Sequence, residues 1–313
     1  MSAPSVLVLA GGLSHERDVS LRSGRRVAEA LRSTGAEVAV HDVDDDLLPA
    51  IAQVRPSIVW PLLHGASGED GSVRDILELL GVTYVGADPR ASRISWSKPI
   101  AKTVVGRAGV ATPRFVTLPQ SLFRELGANR VLEAITASLP LPLVVKPAQG
   151  GSALGVTVVE EASRLPRAMV DAYAYHDTAI IEQAVRGTEL AVSVVDLGSG
   201  PVALPAVEIV PHVGPYDYDA RYVPGRVEYF TPARLTPELA ERVAATALTV
   251  HEALGLRHLS RTDLILDPDG VPQFIDINTA PGMTETSLLP QAAVAAGWEL
   301  GELYRKIVDA ALA

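Results

Sequence analysis

The sequence has no cysteine among its 313 residues. Disulfide bonds, zinc sites built from thiolates and cysteine nucleophiles are therefore excluded from its chemistry. The absence does not identify the compartment in which the protein works, so that question depends on other features of the chain.

Basic residues are also in short supply, with 27 lysines and arginines against 37 aspartates and glutamates and a formal net charge of −10. A general nucleic-acid binder needs a basic excess to displace counterions from phosphates. We therefore expect no nucleic-acid partner. Any phosphate site must be local and built from a few basic side chains.

Long hydrophobic runs are absent as well. No stretch approaches the roughly 20 apolar residues of a membrane span. The short apolar run near the N-terminus lacks the positive residues of a signal peptide and resembles a first buried strand. We expect a cytoplasmic protein without a membrane partner.

What the sequence does contain indicates an α/β globular protein. Hydrophobic residues make up 48% of the chain and charged residues 20%, with 25 glycines and 23 prolines. This composition is not that of a disordered or fibrous chain. The chain is longer than one core comfortably supports, so two or three subdomains are expected.

The stretch 261–290 is the richest in chemistry. Two apolar runs flank the turn 268–270, which predicts a β-hairpin. Pairing would let Asp263 face Asp276 and Asn278, because residues two apart lie on one side of a strand. Two carboxylates and an amide suit Mg²⁺, which takes further ligands from water and phosphates. Spacing alone leaves open the alternative of merely solvated carboxylates.

Glycine-rich loops follow two predicted strands near the N-terminus. The strand 6–9 ends at glycines 11–12 before a helical pattern, and the strand 57–63 is followed by His64 in a loop with three glycines. Such loops present backbone N–H groups to ligands, and α/β sheets place their ligands at the carboxyl ends of strands. His64 is therefore a candidate site residue, with an ordinary surface or satisfied histidine as the alternative.

Two lysines are candidates for a phosphate site. Lys146 lies on a valine-rich predicted strand that precedes the glycine-rich loop 150–155, and Lys98 opens a predicted helix. The loop lacks the GKS/T sequence of a P-loop, so a Walker-type site is disfavoured. A flap over phosphates with both lysines as partners is the functional interpretation, and solvated surface lysines are the alternative.

The segment 206–232 concentrates tyrosines and charges in an unusually long connection. Long loops in compact proteins are commonly active-site lids or disordered linkers. Its tyrosines favour a lid.

Five motifs occur in order along nearly the whole chain. They are GGLSHERDVSLRSG, LHGASGEDGS, VVKPAQGGSALGV, YDYDARY and DINTAPGMTETSLLP. Together they resemble the D-alanine–D-alanine ligases of the ATP-grasp superfamily. Each motif alone is modestly specific, but five in register make a chance match implausible.

The resemblance implies an α/β ATP-grasp fold that is α+β in the nucleotide clamp. Residues 1–95 would form an N-terminal parallel-sheet domain with the first-substrate loop, and 96–186 a central lid domain. Residues 187–313 would form the C-terminal catalytic domain, with a lid loop at about 211–232. ATP would lie between the central and C-terminal domains. A homodimer is also implied.

The implied activity joins two D-alanines through an acyl phosphate, for peptidoglycan precursors. ATP is consumed, two Mg²⁺ ions are expected and Mn²⁺ is an alternative. The magnesium ligands would be Asp263, Asp276 and Asn278, which strengthens the prediction from spacing.

The resemblance also implies which residues contact ATP. They are Lys98, Lys146, Gly151, Ser152, Glu182, Gln183, Ala184, Val185, Glu189 and Arg221. Lys98 and Lys146 would meet the phosphates beneath the flap. Glu182 and the backbone around Ala184 would meet the adenine, and Glu189 would bind the ribose hydroxyls.

A further set would bind and transform the amino acids. Its members are Glu16, Val19, His64, Ser152, Tyr222, Arg261, Gly282 and Ser287. Glu16 would hold the ammonium of the first D-alanine and Ser287 the carboxylate of the second. Arg261 and the Gly282 N–H would stabilise the tetrahedral centre. Tyr222 would close the lid by reaching Ser152 and Glu16.

Three positions depart from the family pattern. Asp276 stands where glutamate is usual, Ala153 where a second serine is common, and Arg221 where lysine precedes the lid tyrosine. These departures leave room for a ligase with a different amino-acid pair. The lid tyrosine favours an amine acceptor, hence D-alanine over D-lactate.

Two other functions remain open from the sequence. One is a related ATP-grasp carboxylate–amine ligase of secondary metabolism. The other is a non-catalytic nucleotide-binding module, which the retention of Arg261, Asp263 and Asn278 argues against.

Overall fold

A computed structural model of the chain describes residues 4–212 and 225–313. Three β-sheets organise this part of the chain. Across these two ranges, no helix combines the length and the apolar character needed to cross a membrane.

The first sheet is parallel, with the order β2-β1-β3. Its strands are β1 (Ser5–Leu9), β2 (Glu37–His41) and β3 (Ile58–Pro61). The helices that accompany it are α1 (Arg17–Ser33), α2 (Leu47–Val54), α3 (Ala66–Glu69) and α4 (Ser72–Leu79). β1 and β3 are almost wholly buried apolar runs, as expected for a parallel sheet covered on both faces. The predicted parallel sheet is confirmed.

The second sheet is antiparallel, with the order β4-β7-β5-β6. Its strands are β4 (Phe115–Pro119), β5 (Leu143–Pro147), β6 (Thr157–Val159) and β7 (Thr178–Gln183). The helices of this part of the chain are α5 (Pro89–Trp96), α6 (Lys98–Arg107), α7 (Gln120–Leu126), α8 (Ala128–Ser138) and α9 (Leu165–Tyr173), with a 3₁₀ turn at Ala162–Arg164. α8 and α9 contribute Val131, Ile135 and Met169 to the core beneath it.

The third sheet is also antiparallel and has the order β11-β10-β8-β12-β13, with β9 paired to β8. Its strands are β8 (Thr188–Asp196), β9 (Pro201–Ala203), β10 (Val207–Pro211), β11 (Val227–Phe230), β12 (Leu259–Leu266) and β13 (Pro272–Asn278). The remaining helices are α10 (Pro237–Ala253), α11 (Leu288–Ala295) and α12 (Leu300–Leu312).

The predicted hairpin of β12 and β13 is confirmed. Asp263 is the ladder partner of Asp276, and Arg261 is the partner of Asn278. Directly opposite residues and residues two apart share a face, so these four polar side chains project from one side of the hairpin. The Asp267 carboxylate accepts hydrogen bonds from two backbone N–H groups of the turn, which holds the strands in this register.

One core joins the first and third sheets, and a second core covers the third sheet. α12 returns to the first sheet, where Trp60 and Tyr304 meet edge to face with ring centroids 5.7 Å apart. α5, α6 and α10 pack instead on the third sheet, around Phe274. The three predicted domain ranges stay a proposal. The packing brings loops from all three sheets to one cavity.

Candidate active site

A cavity of about 450 Å³ lies among the three sheets. Every site residue predicted from the sequence within the described ranges lines it. They are Glu16, Val19, His64, Lys98, Lys146, Gly151, Ser152, Glu182, Gln183, Ala184, Val185, Glu189, Arg261, Asp263, Asp276, Asn278, Gly282 and Ser287. The structure therefore brings them together, while their individual roles stay predictions. Arg221 and Tyr222 lie outside the described residues.

The N-terminal loop and the glycine flap meet at Glu16. This residue stands at the start of α1, and its carboxylate accepts a hydrogen bond from the Ser152 hydroxyl. A Cβ at Gly151 would lie 3.2 Å from Glu16 Oε2, so the missing side chain lets the flap approach the carboxylate closely. Two of the three residues in the predicted lid contact are thus hydrogen-bonded to each other, and the lid contact itself stays a prediction.

His64 and Glu69 form the buried wall beside Glu16. The His64 ring lies 3.5 Å from the Ser23 hydroxyl, and burial lowers the pKa of His64, which favours a neutral imidazole. Glu69 accepts a hydrogen bond from the Gly65 N–H at 2.9 Å. Burial, with a further contribution from the charge of Glu16, raises the pKa of Glu69 to about 8. Glu69 is therefore mostly protonated at neutral pH, which limits the negative charge of the cavity wall beside Glu16.

The two predicted phosphate lysines are buried, so the interpretation of them as solvated surface residues is wrong. Lys98 begins α6 and forms an ion pair with Asp276. Lys146 lies on β5, and its Nζ is 2.5 Å from Glu182 Oε1 on the neighbouring strand. Two cations thus face the cavity with carboxylate partners that fix their positions.

Lys102 is a buried cation that the sequence analysis missed. Its Nζ lies 2.9 Å from Glu182 Oε2, and it donates to the Thr112 hydroxyl at 2.9 Å and the Phe274 carbonyl at 3.0 Å. Burial lowers the pKa of Lys102 to about 8 despite the neighbouring Glu182. The available signal was its spacing: Lys102 follows Lys98 by one helical turn and lies on the same face of α6.

The polar face of the β12–β13 hairpin offers hard oxygen donors. Asp263 accepts two hydrogen bonds from the Arg261 guanidinium, at 2.7 and 2.9 Å, and Asp276 pairs with Lys98. Burial tends to raise the pKa of Asp276, but the charges of Lys98 and Lys146 outweigh it and lower that pKa. The amide oxygen of Asn278 accepts from the Ala280 N–H at 2.8 Å.

This donor set fits Mg²⁺ chemically, because two carboxylates and an amide oxygen leave positions for water and phosphate oxygens. Within 4–212 and 225–313, no group of three or more histidine, cysteine, aspartate or glutamate side chains is arranged as a metal site. An ion held here would therefore need the Asn278 amide and oxygens from the substrate.

The loop that precedes α11 also lines the cavity, and its Met283 N–H donates a hydrogen bond to the Ser23 hydroxyl beside His64. Ser287 occupies the N-cap position of α11, and its hydroxyl accepts a hydrogen bond from the Thr284 N–H at 2.9 Å. A Cβ at Gly282 would lie 2.7 Å from Ser287 Oγ. The loop is therefore packed so closely that a side chain at Gly282 would displace the serine hydroxyl.

The segment between β7 and β8 forms the remaining wall. Ala184 donates its backbone N–H to the Pro142 carbonyl at 3.0 Å. A Cβ at Gly187 would lie 2.0 Å from the Leu266 carbonyl oxygen, so glycine lets the segment pass close to β12. This path places Gln183, Val185 and Glu189 along the cavity between the second and third sheets.

Comparisons with known proteins agree with this geometry. A model of the D-ala D-ala ligase C-terminus family matches residues 104–309. The chain is 39% identical to a D-alanine–D-alanine ligase of Anaeromyxobacter sp. (strain Fw109-5) over 308 residues, which cover 98% of this chain and 96% of that protein.

Two solved structures are also similar. The VanG D-Ala:D-Ser ligase from Enterococcus faecalis has a TM-score of 0.85 and 26% identity, with 99% of each chain covered. A Bacillus anthracis D-alanine–D-alanine ligase complexed with ATP has a TM-score of 0.80 and 28% identity, with 99% of this chain and 97% of that one covered. The fold, the motifs and these matches agree, and the chain belongs to the D-alanine–D-alanine ligase family.

Proposed function

We propose that the protein joins two D-alanines into D-alanyl-D-alanine and converts ATP to ADP and phosphate. The product would serve peptidoglycan precursor synthesis. This proposal rests on one observation: Glu16, Lys98, Lys146 and the polar face of the β12–β13 hairpin line the same cavity. These groups match the ammonium, phosphate and metal that such a ligation must hold together.

At the nucleotide end, Lys98 and Lys146 would bind the phosphates beneath the flap. Asp263, Asp276 and Asn278 would hold Mg²⁺, which would supply charge neutralisation at the transferred phosphoryl group. Asp276 and Lys98 pair directly, so the proposed metal ligand and the proposed phosphate ligand lie side by side. The Arg261–Asp263 pair similarly connects the proposed metal ligand to the proposed oxyanion donor.

At the amino-acid end, Glu16 would orient the first D-alanine through its ammonium. A carboxylate oxygen of that D-alanine attacks the γ-phosphorus of ATP. The bond between this phosphorus and ADP breaks, and an acyl phosphate forms. The closed flap and the buried wall of His64 and Glu69 would exclude water, which would otherwise hydrolyse that intermediate.

The second D-alanine then attacks the acyl carbon through its neutral amine. Arg261 and the Gly282 N–H would stabilise the oxyanion, and Ser287 would hold the acceptor carboxylate. Collapse of the tetrahedral centre expels phosphate, which can accept the proton that the amine loses as the peptide bond forms. Each step uses a group that lines the cavity.

By the same family membership, we propose a cytoplasmic homodimer without membrane or nucleic-acid partners. The three domains would have the ranges predicted from the sequence.

The experiment that tests the proposed function measures phosphate release from ATP with Mg²⁺ and one D-amino acid at a time. D-Alanine should stimulate release strongly. Stimulation by another amino acid with none by D-alanine would support a ligase of different specificity. No release with any acceptor would indicate a nucleotide-binding module. D-Serine belongs in the panel because a structurally similar relative is a D-Ala:D-Ser ligase.

A further inference from the structure

Lys102 has no part in the proposed reaction, yet it is a fully buried cation beside the cavity. Burying a lysine costs free energy even when it is paired, and a hydrophobic side chain of similar size could fill the same space without that cost. The burial of a lysine at this position therefore needs an explanation other than packing.

The Lys102 ammonium contacts three groups from three parts of the chain, through one ion pair and two hydrogen bonds. Glu182 lies on β7 of the second sheet, Phe274 on β13 of the third, and Thr112 on the segment before β4. Lys102 thus ties together the two sheets that border the proposed nucleotide site.

The Glu182 carboxylate is shared between two lysines. Its Oε2 lies 2.9 Å from Lys102, and its Oε1 lies 2.5 Å from Lys146. If Lys102 were lost, Glu182 would keep only Lys146 as a charged partner among the described residues, and its carboxylate could shift toward Lys146. Both Lys146 and the backbone that follows Glu182 would then move from their positions along the cavity.

We propose that Lys102 is a positioning residue for the nucleotide: it anchors Glu182 from behind and so keeps Lys146 and the residue 183–185 backbone aligned to ATP. Lys102 itself does not touch the nucleotide in this arrangement. The inference rests on the proposed use of ATP, but it does not depend on which amino acids are joined.

The test measures ADP binding by calorimetry in the presence of Mg²⁺ and without any amino acid. Lys102→Gln and Lys102→Met should weaken ADP binding at least about tenfold, because displacement of Lys146 would weaken its proposed contact with a charged phosphate. Lys102→Arg, which keeps the charge, should bind more tightly than either. D-Alanine-dependent turnover of the parent protein is measured separately, so failure of the proposed ligation is distinguishable from failure of this proposal.

Thr112→Val is the matched control. It removes the hydrogen bonds that join the Thr112 hydroxyl to the same ammonium and to the Phe274 carbonyl, but it keeps both partners of the Lys102–Glu182 pair. Thermal stability should therefore fall, while ADP affinity should stay within about threefold of the parent. If Thr112→Val and Lys102→Gln weakened ADP binding equally, the effect would come from destabilisation of this region in general. That result would overturn the proposal. ADP affinity unchanged in both Lys102→Gln and Lys102→Met would also overturn it. Failure of both to fold while Thr112→Val folds would assign Lys102 to the fold alone.

Discussion

At the scale of single residues, Arg261 has the most sharply defined proposed role. Its guanidinium is bidentate to Asp263, which fixes the direction of its remaining N–H groups. Arg261→Ala should lower turnover by at least about 100-fold, since one oxyanion donor typically contributes about 3 kcal/mol. ADP affinity should stay nearly unchanged. Steady-state dipeptide synthesis and ADP calorimetry measure the two effects.

Arg93→Ala is the control for this prediction. Arg93 also makes two hydrogen bonds to one aspartate, Asp75, but on the protein surface, so its loss should leave turnover unchanged. Turnover of Arg261→Ala within about tenfold of the parent would show that Arg261 is not the oxyanion donor.

Glu69 should give the stability a distinctive pH dependence. Its folded-state pKa is raised to about 8 by burial and by Glu16, whereas the ordinary value is 4.5. Between these values the folded protein keeps a proton that the unfolded chain releases, so this group makes stability fall as pH rises. Glu69→Gln mimics the protonated form and should remove that fall. Its unfolding free energy relative to the parent should therefore increase from about pH 5 to about pH 8.

Urea unfolding across this pH range measures the difference between the two proteins. Glu302→Gln makes the same chemical change at an exposed side chain and should leave the pH dependence of the parent intact. A constant difference between Glu69→Gln and the parent at all pH values would contradict the assigned protonation state.

At the scale of elements, the loop before α11 should be intolerant of a single methyl group. Gly282→Ala would place a Cβ 2.7 Å from Ser287 Oγ, which forces the hydroxyl away from its contact with Thr284. If Ser287 binds the acceptor carboxylate, KM for the second D-alanine should rise at least about tenfold with a smaller effect on ATP.

Gly106→Ala tests whether the effect belongs to this loop. Gly106 lies in α6 with no atom within 4 Å of its added Cβ. Alanine there should leave KM unchanged and raise stability by roughly 0.5–1 kcal/mol. An unchanged acceptor KM in Gly282→Ala would remove Ser287 from the proposed acceptor site.

The β12–β13 hairpin was predictable because its information is local. Alternating apolar residues and a short turn determine the register, and the register places Asp263 opposite Asp276. The partners of those carboxylates were not predictable in the same way. Lys98 lies 178 residues before Asp276 in the chain, and no local pattern says that a helix N-terminus will reach this strand.

At the scale of the whole molecule, the resemblance supplied the fold, while the packing between sheets came from the structure alone. The pattern of α12 predicts a buried face but not that the face lies on the first sheet, against Trp60. Lys102 was overlooked for a related reason. A lysine in a helix is ordinarily solvated, and its burial here depends on Glu182 and Phe274, which are distant in sequence.

The protein as a whole is proposed to make one product, D-alanyl-D-alanine, from two D-alanines. The most direct measurement is mass spectrometry of the product formed from ATP, Mg²⁺ and an equal mixture of D-alanine, D-serine and D-lactate, with ADP measured in parallel. D-Alanyl-D-alanine should be the main product, formed in equal amount to ADP. ADP without dipeptide, or a mixed product in place of D-alanyl-D-alanine, would contradict the account.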